Sequence, residues 1–193
     1  MKTKQYSPCL YSTGNFTVAG LTCTATGSES AVIEGANSIT PTNSSLTSSM
    51  DNKWGVMIYL SMSGDATGNE GKFTMTGGTV IFTADGQTLS GDFVVDKISL
   101  LAQTLQNGSS LAGAVNSANT TKLVSLTLDP SGSWTMTAHS YLTCLTDASG
   151  ISGTSVSNII GNEHTVYHNA SGCTALNGQT YTLNGSGYLR PSN

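Results

Sequence analysis

Charge is what this chain lacks most. Asp, Glu, Lys and Arg make up 9% of its 193 residues, where an ordinary soluble domain carries about 25%. Only seven residues are basic, and they do not cluster, which excludes the electrostatic footprint of a nucleic-acid binder. No apolar run approaches the roughly eighteen residues of a transmembrane helix, so membrane insertion is not expected. Helical periodicity is almost absent as well. The opening MKTKQYSPCLYSTG passes from two lysines straight to Pro8 and polar residues. It lacks the apolar stretch of about 7–15 residues that a signal peptide needs, and is not read as one.

Ser, Thr, Asn and Gly take the place of charge: 27, 28, 14 and 22 residues respectively. The length suits one domain of ordinary size. Four cysteines, Cys9, Cys23, Cys144 and Cys173, match no CxxC or zinc-knuckle spacing, leaving buried free thiols as the plainer expectation. A disulfide such as Cys9 with Cys23 is the alternative.

Short alternating runs recur along the chain, among them NFTVAG, LTCTAT, TVIFTAD, FVVD, LVSLTLD, SWTMTAH, TVYH and QTYTLNG. They read as period-two strands of four to seven residues separated by Gly, Asn, Ser or Asp. They also repeat in register. CLYSTGN, VIEGAN and MIYLSM put Leu10, Ile33 and Ile58 in one column, at steps of 23 and 25 residues. Phe16 then aligns with Ile39, Leu21 with Leu46, and LSGDFVV from Leu89 with LAGAVNS from Leu111 and LTCLTDA from Leu142. Three strands per coil of about 23 residues predict an all-β, right-handed parallel β-helix spanning 1–193. Coils occupy 1–160, with a projecting loop at 61–72 that places Phe73 after Ile39, and a less regular cap covers 161–193. Such a stack explains the composition: coils bond to one another through the backbone, Thr and Ser suit outward strand positions, and Gly and Asn suit tight corners.

The segments AVIEGANSIT, KWGVMIYLSMSGDATG, FTMTGGTV, TADGQTLSGDFVVDKISLL, SWTMTAHSYLTCLTDA and GNEHTVYHNASGCTALNGQTYTLNGSGYLRP resemble a family of bacterial, clostridial-type right-handed β-helix proteins. The resemblance covers nearly the whole chain. It implies a secreted or cell-surface protein that binds polysaccharide, acidic glycans among them, with calcium as the one cofactor it brings in. Where this chain has its cysteines, the family usually has small or apolar residues.

If Leu10, Ile33 and Ile58 point inward, alternation turns Tyr11, Glu34 and Tyr59 outward, with Val32 and Met57 beside them. Tyrosine rings stack on sugar rings, and a carboxylate accepts from sugar hydroxyls. Trp54 precedes this face, and the loop carboxylates Asp65 and Glu70 follow it. The expected binding residues are therefore Tyr11, Val32, Glu34, Trp54, Met57 and Tyr59. The same face, covered by the loop or by a second copy, is the packing or homodimer alternative.

Catalysis has less support. GxSxG, phosphate-loop and HExxH motifs are lacking. His164 and His168, four apart on a strand, would lie about 13 Å from each other, so no metal site is expected. Glu34 with Asp65 or Glu70 is the one glycosidase-like carboxylate combination. Asp85, Asp92 and Asp96 read as solvated surface. The leading expectation is a glycan-binding or adhesive surface module; the alternatives are a polysaccharide- or ester-cleaving hydrolase or lyase at the same face, and a structural stalk segment.

Overall fold

The computed structural model describes residues 10–12, 14–26, 31–33, 37–43, 45–49, 56–60, 79–95, 97, 99–121, 123–147 and 149–192. Among them are strands and a single 3₁₀ turn, with no α-helix. Three strands form each of the first four coils. They are β1 (Leu10–Ser12), β2 (Phe16–Ala19) and β3 (Thr22–Thr26); β4 (Ala31–Ile33), β5 (Asn37–Thr42) and β6 (Ser45–Ser49); β7 (Val56–Leu60), β8 (Thr79–Asp85) and β9 (Thr88–Ser90); β10 (Asp92–Val95), β11 (Leu100–Gln106) and β12 (Ser110–Ala112). Then come β13 (Val124–Leu128), β14 (Ser133–Thr135), β15 (Ser140–Leu142) and β16 (Cys144–Asp147). A short excursion, β17 (Ile151–Ser152), leads to β18 (Ser155–Ile160), and the chain ends with β19 (Thr165–His168), β20 (Tyr181–Asn184) and β21 (Tyr188–Pro191).

Equivalent strands stack in parallel into three walls. The first runs β1-β4-β7-β10 and the second β2-β5-β8-β11-β13-β16. The third runs β3-β6-β9-β12-β14-β18 and continues through β20, β21 and β19 to β15. This is a parallel β-solenoid, and its period is the expected one: Phe16 to Ile39 and Leu111 to Trp134 are both steps of 23 residues.

Alternation along each strand fills the interior. In β11, Leu101, Gln103 and Leu105 are buried while their neighbours are half-exposed. Phe82 and Phe93 meet edge to face, 5.2 Å between ring centroids, and Trp134 is wholly buried with its Nε1–H donated to the Gly113 carbonyl at 2.8 Å. Gln103 occupies the column of Phe82, Leu126 and Leu145, with neither amide atom hydrogen-bonded. Corners repeat too. Asn43, Gly86 and Asn107 follow β5, β8 and β11 with φ of 46°, 63° and 54°, a left-handed conformation that Asn and Gly adopt most readily. At the corner after β12, a Cβ on Gly113 would stand 1.9 Å from the Gly91 carbonyl oxygen, so the coils can approach there only over glycine.

The wall acids serve these corners. Asp85 accepts from the Asn107 and Gln106 side chains, and Asp92 from the Ala114 backbone N–H. Burial would raise the Asp129 pKa, but backbone N–H groups of Asn107, Ser131 and Gly132 and the Ser131 hydroxyl outweigh it and hold the carboxyl below its ordinary value. Asp96 lies outside the described residues.

Several registers differ from those the sequence suggests. Opposite Leu10 stands Ala31 and not Ile33, and Leu46 faces Cys23 and not Leu21. Phe82, rather than Phe73, pairs with Ile39; the loop expected at 61–72 lies outside the described residues. Trp134 continues the Leu89–Leu111 column, while Leu142 pairs with His168. The first two of these slips are by two residues, which keeps the same face buried and is therefore invisible to a hydrophobic pattern.

The cysteines depart from the free-thiol expectation. Cys144 and Cys173 form a disulfide across 29 residues, and Cys23 is disulfide-bonded as well. Beyond β18, the 3₁₀ turn Thr174–Leu176 and the antiparallel β20–β21 pair cover the core with Cys173, Leu176, Tyr181, Leu183 and Leu189.

Candidate functional site

Of the sequence-derived site residues, Glu34, Trp54, Asp65 and Glu70 lie outside the described residues. Tyr11, Val32, Met57 and Tyr59 fall on β1, β4 and β7. The register corrects their order. Tyr11 pairs with Val32 and Val32 with Tyr59, so Val32, not Glu34, stands between the two tyrosines.

A second outward row is drawn together where the third wall turns onto β15, β19 and β21. Tyr141 pairs with Tyr167 and Tyr167 with Arg190. Their neighbours Leu142, Val166, His168 and Leu189 are buried in the solenoid, and alternation turns the row outward. The rings of Tyr141 and Tyr167 stack with centroids 4.9 Å apart and planes 12° from parallel. On the other side of Tyr167, the Arg190 guanidinium lies 5.1 Å from the ring centroid, and its Nη2 donates to the Tyr167 hydroxyl at 3.0 Å. Cation–π attraction and that hydrogen bond hold a long, exposed side chain in one place.

Two adjoining cavities, about 410 and 640 Å³, open along this row and share Asn119, Tyr141, Tyr167 and Ser192. Together they make one groove with three built sides. Along one side the chain between Asn116 and Thr121 bulges from the coil. Asn116 and Asn119 have φ of 50° and 52°, and the Asn116 amide donates to the Thr121 and Tyr141 carbonyls at 2.9 and 3.0 Å. Opposite, the Asn169 side chain accepts from the Ser171 and Gly172 backbone N–H groups, fixing a turn whose Asn169, Ala170 and Ser171 line the groove. That turn lies within the segment closed by Cys144–Cys173.

His139 flanks the row, 6.1 Å from the Tyr167 ring and 5.5 Å from that of His164. Its Nδ1 accepts the Thr165 backbone N–H at 2.9 Å, so the neutral imidazole carries its proton on Nε2. His164 thus meets His139 of the neighbouring coil and not His168, which is buried inside. Burial pushes the His168 pKa below its ordinary value, more than the backbone groups of Asn169 and Gln179 raise it.

Asn, Ser, Thr and Tyr side chains, with Arg190, supply the groove's polar atoms, and none of the lining residues is a carboxylate. Among the described residues, no carboxylate pair for general acid and base chemistry lines it. Calcium, which the family resemblance implies, does not fit this groove, since it favours several oxygen ligands with carboxylates among them. Among the described residues, no three His, Cys, Asp or Glu side chains converge as a metal would need. What the arrangement offers is donors and acceptors around an aromatic surface.

Comparison with family models, curated proteins and solved structures finds no match for this chain.

The groove had a trace in the sequence. Tyr141, Tyr167 and Arg190 are spaced by 26 and 23 residues, about one coil each. HSYL, TVYH and YLRP are therefore the same strand position in successive turns, a register obscured by assigning the last two of these to an irregular cap.

Proposed function

We propose that the protein is a glycan-binding module that holds sugar in the groove beside Tyr141, Tyr167 and Arg190. One observation carries the reading: aromatic rings, a positioned guanidinium and amide and hydroxyl groups converge on a groove whose described lining residues include no carboxylate. Tyrosine gives a sugar both an apolar surface for its C–H face and a hydroxyl for its polar edge. Arginine and asparagine supply directional hydrogen bonds to ring hydroxyls. The groove's size is in the range of small-ligand sites. The disulfides support work in an oxidising, exported setting, as does the resemblance to surface β-helix proteins.

The test is a glycan array probed with the intact chain and with Tyr141→Ala, followed by assay of bound polysaccharides for released reducing ends or unsaturated products. Binding that Tyr141→Ala loses, without product release, is the expected result. Turnover that survives Tyr141→Ala and disappears in Glu34→Gln would replace this reading with the enzyme.

A further inference from the structure

The two tyrosines are not equivalent. Tyr167 sits in the middle of the row, with Tyr141 stacked on one face and the Arg190 guanidinium on the other. Both faces of its ring are taken, its hydroxyl accepts from Arg190 and His139 lies 6.1 Å away. Among the described residues Tyr167 is the ring stacked on Tyr141, and β15 is the last strand on that path of the sheet, the Tyr141 N–H donating onward to the Val115 carbonyl. Beyond it, in place of another strand, comes the Asn116–Thr121 bulge, tied to the Tyr141 carbonyl by the Asn116 amide. Asn119, in that bulge, and Tyr141 both line the groove. The free aromatic surface is therefore one ring face, looking across the groove at a pinned wall.

Resting on the glycan-binding reading above, we propose that the groove recognises a single sugar ring, a chain end or side branch, inserted between Asn119 and Tyr141. A run of sugars lying along a flat aromatic surface would need several unobstructed ring faces side by side. Here the rings face one another, spaced by the coil repeat. Tyr141 makes the stacking contact, whereas Tyr167 is a positioning residue that braces Tyr141 and orients Arg190. The smaller cavity, about 410 Å³, lies near the lower end of ligand-pocket volumes, about 300–1,000 Å³, as befits one or two sugar rings.

The experiment is isothermal titration of the intact chain with gluco-, manno- and galacturono-oligosaccharides of one to six units and the matching methyl glycosides. Affinity should be within about threefold of its maximum by the disaccharide. Tyr141→Ala should weaken it more than tenfold and Tyr141→Phe by less than threefold, with unchanged thermal melting showing that the variants fold. Affinity that climbs tenfold or more from the disaccharide to the hexasaccharide overturns single-ring recognition and leaves glycan binding standing. Parent-like binding by Tyr141→Ala, with binding lost in Tyr167→Ala, likewise overturns single-ring recognition alone. No binding to any of these probes, together with a blank array, overturns the glycan reading itself and this inference with it.

Discussion

Two outer surfaces of the same solenoid make an instructive pair. On the second wall, the outward positions of β8, β11 and β13 are Ile81 and Thr83, Ala102 and Thr104, and Ser125 and Thr127. On β15, β19 and β21 the equivalent positions are Tyr141, Tyr167 and Arg190. The interiors behind both surfaces hold the same kinds of residue in one continuous core, Phe82, Leu101 and Val124 behind the first and Leu142, Val166 and Leu189 behind the second. The coil thus fixes position and spacing through its buried columns and backbone bonds. Outward side chains are released from that duty, and of these two surfaces it is the second on which they are large, polar-tipped and stacked.

The sharpest way to break the comparison is to attack what both surfaces share. Trp134→Ala removes the largest fully buried side chain among the described residues together with its bond to the Gly113 carbonyl, and should cost about 3–5 kcal/mol. Urea unfolding followed by fluorescence and circular dichroism would measure it, with both surfaces lost in one transition. Replacing Cys144 and Cys173 together by alanine opens a 29-residue loop, and should cost about 3–4 kcal/mol from the added freedom of the unfolded chain. That loss should fall chiefly on the groove side, so hydrogen exchange should rise in β19 and β21 before it rises in β8 and β11.

Gln103→Leu works in the opposite direction. It replaces an amide that has no hydrogen-bond partner in an apolar column, and should raise unfolding free energy by about 1–3 kcal/mol without touching either surface. Unaltered or lowered stability would mean that the amide has a partner there, such as a buried water.

Acid separates the two surfaces more gently. His168 lies beneath the groove with its pKa lowered by burial. Protonation then favours the unfolded chain, so its contribution to stability is present above the ordinary histidine pKa of about 6.5 and declines as pH falls below it. Asp129, lowered likewise, loses its contribution only at more acidic pH, as pH falls below the ordinary carboxylate value of about 3.9 toward its own. His168→Gln should flatten the first of these slopes in melting curves taken between pH 7 and 5. The smallest effect belongs to the plain wall: Thr104→Ala with Thr127→Ala should change stability by no more than about 0.5 kcal/mol each and sugar binding not at all.

How much of this could be read in advance follows from the same division of labour. Leu89 with Leu111 and Phe16 with Ile39 were legible because Gly and Asn corners bracket them at one coil's spacing. Trp134 was missed in that column, since SWTMT carries no corner glycine in the matching place and Leu142 offered a rival at nearly the right distance. Alternation reports which face a residue belongs to, but a two-residue slip leaves that face unchanged, so the pairing of Leu10 with Ala31 had no signal. Disulfide partners were illegible for a related reason: Cys144 and Cys173 meet because β16 and the turn before Leu176 are brought together at the end of the stack. Tyr141, Tyr167 and Arg190 were visible as residues, yet their meeting required knowing that the third wall continues past β18.

The stacked pair also gives the molecule an optical signature. Two tyrosines 4.9 Å apart and nearly parallel couple their transitions and contribute a near-ultraviolet circular dichroism band that isolated tyrosines lack. That band originates in the groove, and once Trp54 is replaced by Phe the remaining tryptophan emission comes from Trp134 in the core, so two wavelengths then report separately on occupancy and on integrity. A ligand arriving on Tyr141 would perturb the first and leave the second in place, so the protein carries its own binding assay without a label.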